Sequence, residues 1–489
     1  MLQGGANLDT MRSSDPQPPA AYQQTGTLPP LTYDDPRPLN TGNYSSYLSE
    51  MTSGGNATGI AGGKPMQSVD PTAGSVSVGG FSHNLDSQNF NFTAPVLALA
   101  GRAGMGLSLA LSDNNKVWLR DANTNTVIFN PNRDFPAPGW RIGFGSILVK
   151  SQADPPYLNH FTGKQSLLYT TPDGTRRDLA YNSSSGYYES YDASYLRFDL
   201  ANKILYMPDG AQAAFLDGSY ANGAAQFLPS WIKDRNGNTI NIYYKTLSNS
   251  AVVLDYAIDT AARRIDFNYQ NNRLVSVSQN RGGSVFYFVR IDYNPVTIQT
   301  AFSGSPALDP STINNSQVYF PVRLTYPSGA QYRFGYNSYG QVNAIEKWAP
   351  AITGQGNERK IASTTFVYTI SSPYTAPAFA QRQEWAENWQ GGATQTYQYT
   401  YWGAAGHEVL DPTLRTFKVW NNGLNHSSSI WASGAGNFTK KDEVTYVTDS
   451  GANPRISQTK STAWNGTGYN IRTTNIGYTQ LDGMWLPTT

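Results

Sequence analysis

Residues Tyr326 to Trp348 read YPSGAQYRFGYNSYGQVNAIEKW. Pro327-Ser328-Gly329 is a turn signal, because proline presets φ and glycine accepts a positive one. Asn337-Ser338-Tyr339-Gly340 ends in a second glycine with the same freedom. Between the turns Tyr332, Phe334 and Tyr336 alternate with Gln331, Arg333 and Gly335. A period of two places the three rings on one face of a strand. Val342 and Ile345 then resume an apolar pattern, so the stretch reads strand, turn, strand, turn, strand.

The same plan recurs. In Ile265–Val277 the apolar face is Ile265, Phe267 and Tyr269, with Gln270 to Asn272 as the turn. Tyr195–Phe215 has Asn202 in its turn and Pro208-Asp209-Gly210 closing the return strand. Asn236-Gly237, ahead of Ile240, Ile242 and Tyr244, is the strongest hairpin signal in the chain. Leu254–Arg264 carries alanines at a helix-like spacing, but a turn at Asp259–Arg263 between two strands suits the neighbouring pattern better. The expected fold class is therefore all-β, a long curled antiparallel sheet of sequential hairpins.

A tyrosine, then Asn or Asp, two residues, Gly, Gln or Arg, and a branched apolar residue resembles the tyrosine-aspartate repeat of bacterial RHS proteins. Tyr336, Asn337, Gly340, Gln341 and Val342 match it directly. Tyr269, Arg273 and Leu274 match it with Asn272 where glycine is usual, and Ala262 also stands where glycine is common. Val69-Asp70-Pro71-Thr72-Ala73-Gly74, Pro95-Val96-Leu97 and Gly101-Arg102-Ala103-Gly104 resemble the lead-in of such chains. The resemblance covers the N-terminal part of a repeat core, roughly residues 66 to 350. It implies a non-enzymatic shell or open scroll that holds or presents a cargo or effector polypeptide. It also implies a bacterial protein that is secreted or on the cell surface. Family members that release cargo use aspartates in Asp-Pro-x-Gly motifs. Asp309-Pro310-Ser311-Thr312 and Asp411-Pro412-Thr413-Leu414 lack that glycine, so no catalytic residue carries over.

Composition agrees with many short strands. The 489 residues include 45 Gly, 29 Pro and 32 Tyr, turn and strand formers. A formal net charge of +1 leaves no electrostatic footprint for nucleic acid. The absence of cysteine excludes disulfides, thiol catalysis and Cys-based zinc sites. The longest apolar run, Ala94 to Ala100, is too short for a membrane-spanning helix, and no signal peptide is legible.

Four segments follow. Residues 1–65 are a Pro/Gly/Ser-rich tail expected to be disordered. Residues 66–164 are a β-rich lead-in, with Leu107, Leu109 and Leu111 forming one amphipathic strand. Residues 165–350 are the repeat hairpins, and 351–489 continue as degenerate β-repeats.

Sites of chemistry are sparse. His83, His160, His407 and His426 show no metal-ligand spacing. Asp234, Asn236 and Asn238 resemble the start of a calcium loop, but the glycine and the twelfth position are wrong, and a hairpin explains the same residues. Glu384 and Glu387, beside Trp385 and Trp389, suggest a glycosidase carboxylate pair. Their three-residue spacing on a strand points them to opposite faces. Trp385, Trp389 and Trp402 are candidates for stacking on sugar, which defines an alternative reading as a surface carbohydrate-binding or adhesin module. No cofactor is expected.

Overall fold

The computed structural model of the chain describes residues 80–84, 89–115, 117–121, 126–129, 131, 134–149, 166–172, 176–190, 194–219, 225–299, 307–308, 315–351, 358–369, 378–387, 393–401, 406–422, 425–432, 438–448, 454–481 and 484–488. The N-terminal tail, Val69–Gly74, Asp309, Pro310, Trp389 and Trp402 lie outside them. The regular elements among the described residues are all strands, apart from one 3-10 turn at Arg102–Gly104. None of their helices is long and apolar enough to cross a membrane.

Three layers of pairing build the molecule. The first is a small sheet of β1 (Phe81–Asn84), β2 (Asn89–Leu99), β3 (Leu107–Asn114), β7 (Trp140–Arg141) and β6 (Pro136–Ala137), in that spatial order. Hairpin β4 (Trp118–Asp121) and β5 (Thr126–Phe129) stands beside it.

The second is a ring. It starts with β8 (Ser146–Val149), β9 (Ser166–Thr170), β10 (Arg176–Asn182) and β11 (Tyr187–Ser190). It continues with β12 (Arg197–Asp199), β13 (Ile204–Tyr206), β14 (Gln212–Ser219) and β15 (Ala225–Lys233). Each pairs antiparallel with the next, and β15 pairs back onto β8 through Phe227 and Ile147, which closes the ring. Its own core holds Ile147, Leu179, Phe198, Leu205 and Phe227, all buried. The ring was not legible in the sequence. Phe198 belongs to this separate core, whereas Phe267 and Phe334 lie in the main one.

The third layer is the wall, a meander in which each strand pairs with its sequence neighbour. From β15 it runs through β16 (Thr239–Thr246), β17 (Val252–Ile258), β18 (Arg264–Gln270), β19 (Arg273–Arg281) and β20 (Ser284–Thr297). The short β21 (Ala307–Leu308) leaves the wall to pair parallel with β5. The meander resumes at β22 (Gln317–Thr325), β23 (Gln331–Tyr336), β24 (Val342–Ala349), β25 (Arg359–Thr369) and β26 (Ala378–Ala386). It ends through β27 (Gln395–Tyr401), β28 (Gly406–Leu410), β29 (Thr416–Asn422), β30 (Asn425–Trp431), β31 (Phe438–Thr448), β32 (Pro454–Trp464) and β33 (Tyr469–Asn475). The fold class is thus the expected one: all-β, sequential hairpins in one long curled sheet.

The small N-terminal sheet covers one face of the wall. Phe92 meets Tyr332 and Phe334 edge-on at 5.3 and 5.7 Å between centroids, and Trp140 meets Phe334 at 4.7 Å. Phe90 stacks on Phe366 at 4.6 Å. The alternation in Leu107, Leu109 and Leu111 is explained by this burial, since all three point at the wall. The main core is therefore a two-layer one, and its buried wall residues run from Ile240 to Val419.

Candidate functional site

The recurring unit has two parts, a turn and a tyrosine. At Asp234, Asp259, Asn337 and Asp411 the turn is the same. The first residue's N–H donates to the carbonyl four residues on, and the fourth residue's N–H donates back to the first carbonyl. The first side chain's Oδ1 accepts from the amides two and four residues on, at 2.8 to 3.0 Å. The fourth residue has φ of +83° at Gly237, +61° at Ala262, +75° at Gly340 and +63° at Leu414. Asp or Asn opens the unit because its side chain caps otherwise orphaned amides, and glycine suits the fourth place because it has no Cβ to clash there.

Asp234, considered above for calcium, directs its carboxylate to the Asn236 and Asn238 amides and to Asn238 Nδ2. Those hydrogen bonds, the Asn238 side chain's first, hold it below the usual carboxylate range. The turn at Asp259–Arg263 forms as expected, with Ala262 in the left-handed region. Ala262→Gly is expected to stabilise the chain by about 1 kcal/mol, read as a higher urea midpoint; a lower midpoint refutes the strain assigned to Ala262. The Tyr269 copy departs from this turn. Gln270 pairs with Arg273, and Asn271 and Asn272 both have positive φ, a two-residue hairpin one residue shorter than the Tyr336 unit.

The tyrosine closes a split in the wall. Between β17 and β18 the ladder ends at Tyr256 opposite Asp266. Tyr269, three residues past Asp266, then donates its hydroxyl to the carbonyl of Leu254, two residues before Tyr256, at 2.7 Å. The same offsets recur. Past Asn241–Trp231, Tyr244 bonds to Pro229; past Arg290–Ser276, Tyr293 bonds to Leu274. Past Arg333–Arg323, Tyr336 bonds to Pro321 at 2.6 Å; past Thr365–Ala344, Tyr368 bonds to Val342. Past Asn475–Gln458, Tyr478 bonds to Ile456. Where two strands part, a buried backbone carbonyl loses its ladder partner. The ring fills the gap and the hydroxyl supplies the donor.

The splits coincide with β-bulges on the other edge of the same strand. Tyr244, Tyr269, Tyr293, Tyr336 and Tyr368 each directly follow a register shift. A bulge inserts one residue and bends its strand. Asn343 is the extra residue opposite Gly335–Tyr336, and it explains why Val342 and Ile345 are both buried although three apart. The same spacing separates Leu254 from Ala257 and Leu274 from Val277, buried pairs that flank the extra residues Asp255 and Val275. An i, i+3 apolar pair just after a turn was the sequence signal for these bulges.

The remaining repeat positions fit this frame. Gln341 Nε2 donates to the carbonyl of Asn115, and Trp118 Nε1 to that of Tyr339, tying the Asn337 turn to the N-terminal layer. Leu274 and Val342 are buried in the main core. Arg273 lies over the Tyr319 ring at 3.5 Å. The structure holds Tyr336, Asn337, Gly340, Gln341 and Val342 together in one turn, with Tyr269, Arg273 and Leu274 in a second, separate one.

The carboxylates considered for catalysis do not converge. Glu384 is fully buried on the covered face, with Arg382 Nε 3.0 Å away. Glu387 is exposed just past the end of β26 and pairs with Arg359. Trp385, the described member of the proposed sugar-stacking set, is half-buried with the Lys360 ammonium 5.5 Å from its ring centroid. His83 and His407 are buried, and His83 packs edge-on against Tyr399. Among the described residues no group of three acidic, histidine or cysteine side chains is placed to hold a metal.

No family model and no curated protein matches the chain. Among solved structures, it is similar to a chain of the Photorhabdus luminescens Tc holotoxin pore, with 13% identity over 64% of this chain and 18% of that one, at a TM-score of 0.25. It is also similar to a chain of the TcdB2-TccC3-TEV crystal structure, with 13% identity over 75% of this chain and 22% of that one, at 0.26. A porin-like protein from Bacteroides uniformis aligns with 10% identity over 51% of this chain and 96% of its own, at 0.20. The chain spans about a fifth of the length of the toxin chains it matches.

Proposed function

We propose that this chain is a segment of a YD-repeat wall of the RHS type, non-catalytic, that holds or presents a cargo polypeptide of a secreted or cell-surface bacterial protein. The observation that supports it is the tyrosine closure repeated at Tyr244, Tyr269, Tyr293, Tyr336, Tyr368 and Tyr478 with one constant offset. It attaches the repeated residue type to a mechanical task, keeping a bulged and bending sheet sealed. Contacts of the N-terminal layer reach Tyr399 of β27, and the buried core continues to Val419 of β29. Beyond it the buried residues among those described reduce to Ser429, Val444 and Thr462. That uncovered part of the wall is where a cargo chain makes contact in this reading.

The test is co-expression with the polypeptide encoded next to it. The two are expected to co-purify, and the partner to become resistant to added protease while it remains bound. A partner that stays as cleavable as when alone overturns the reading.

A further inference from the structure

The seam between the N-terminal layer and the wall contains a carboxyl group that no part of the wall function uses. Asp113 lies in β3, opposite Trp140 of β7 and Phe92 of β2. It is 3% exposed, and among the described residues no donor meets its Oδ2. A second carboxylate, Asp134, is close by but differently placed. It accepts from the Gly139 amide at 3.1 Å and from Arg141 Nε and NH2 at 2.8 and 2.5 Å. Asp134 thus has an ion-pair partner in Arg141. Asp113 is left with an unbonded oxygen beside that negative charge, in the layer where Phe92 and Trp140 press on Phe334.

We infer that Asp113 is a proton-dependent latch: the N-terminal layer stays docked on the wall while Asp113 is protonated and loosens when it ionises. The groups that face it are Asp134 with its partner Arg141, the Asn114 amide and the hydroxyl of Tyr336. Burial first, and then the Asp134 charge, push the Asp113 carboxyl up to about 8, while the Asn114 amide works the other way. Tyr336 is itself pushed well up by burial and stays neutral over this range, so it adds no competing charge. In an opened seam Asp113 meets water and ionises near the ordinary value of 3.8. The closed form therefore holds one more proton than the open form between those limits. The seam's stability is fully present below the lower limit and is lost as pH rises, levelling off above about 8. The inference rests on the docked layer and not on the cargo reading.

Hydrogen exchange of the full chain between pH 5 and 8.5, corrected for intrinsic rates, tests it. The opening constant of peptides covering 107–115 and 134–142 is expected to rise roughly tenfold per pH unit and then flatten. Peptides of the wall beyond the layer, over 438–448 and 454–464, are expected to stay level. Asp113→Asn is expected to remove the slope. A flat profile in the wild type, or an unchanged slope in Asp113→Asn, overturns the latch. If that variant does not fold, infrared spectra of the wild type decide. A protonated carboxyl band that persists at neutral pH and vanishes near pH 8 supports the latch, and its absence at neutral pH refutes it.

Discussion

Glu384→Leu is expected to destabilise the chain by about 3–5 kcal/mol. The pair it breaks is buried completely on both sides, with Arg382 Nε and Glu384 Oε1 3.0 Å apart. Both residues point from β26 to the covered face, where the guanidinium lies 3.9 Å from the Tyr397 ring centroid and 5.6 Å from that of Phe81. Removing the carboxylate takes away the negative charge 3.0 Å from the guanidinium in the core. The desolvation of Arg382 is then uncompensated by that partner, which is why the single change is severe. The double variant Arg382→Met, Glu384→Leu is expected to recover most of the loss, because apolar side chains of similar volume need no solvation. Denaturant midpoints at constant m-value measure both. A double variant as unstable as the single one shows that the loss comes from packing and not from charge. The same pair bears on the glycosidase idea, since Glu384 faces the core and not solvent.

Tyr336 carries the second large effect. Its ring packs on Phe320 at 4.7 Å and its hydroxyl bonds to the Pro321 carbonyl at 2.6 Å. Tyr336→Phe keeps the ring but leaves that carbonyl without its donor, for an expected loss of about 1–2 kcal/mol. Tyr336→Ala also empties the gap between β22 and β23, for a loss of about 3–5 kcal/mol. Exchange of the amides on either side of the split is expected to quicken in both variants. If Tyr336→Phe is as stable as the wild type, the hydroxyl is not what closes the sheet.

These two residues differ in how far the sequence announced them. Tyr336 stood out because its repeat is local: a turn residue, a glycine and an aromatic at fixed short offsets. Arg382 did not stand out, because its burial depends on a layer some three hundred residues earlier in the chain, and Glu384 was noticed only for its spacing from Glu387. Asp113 was invisible for the same reason. Read alone, it is a polar residue after an amphipathic strand. Only the packing of β3 on the wall makes it a buried acid.

By itself the sequence determined the hairpins. Period-two alternation, Asp or Asn capping of turns, and glycine at positive φ are set by residues within a few positions of one another. Those forces act in any context, so the all-β class and the turns at Asp234, Asp259 and Asn337 could be read directly. The tertiary structure alone decided that β15 returns to β8, that the N-terminal layer lies on one face of the wall, and that each tyrosine ends its reach on a carbonyl across a split. Each of these joins residues far apart in the chain or on separate strands. Their partners are selected by which surfaces can be buried together, and no local pattern encodes that.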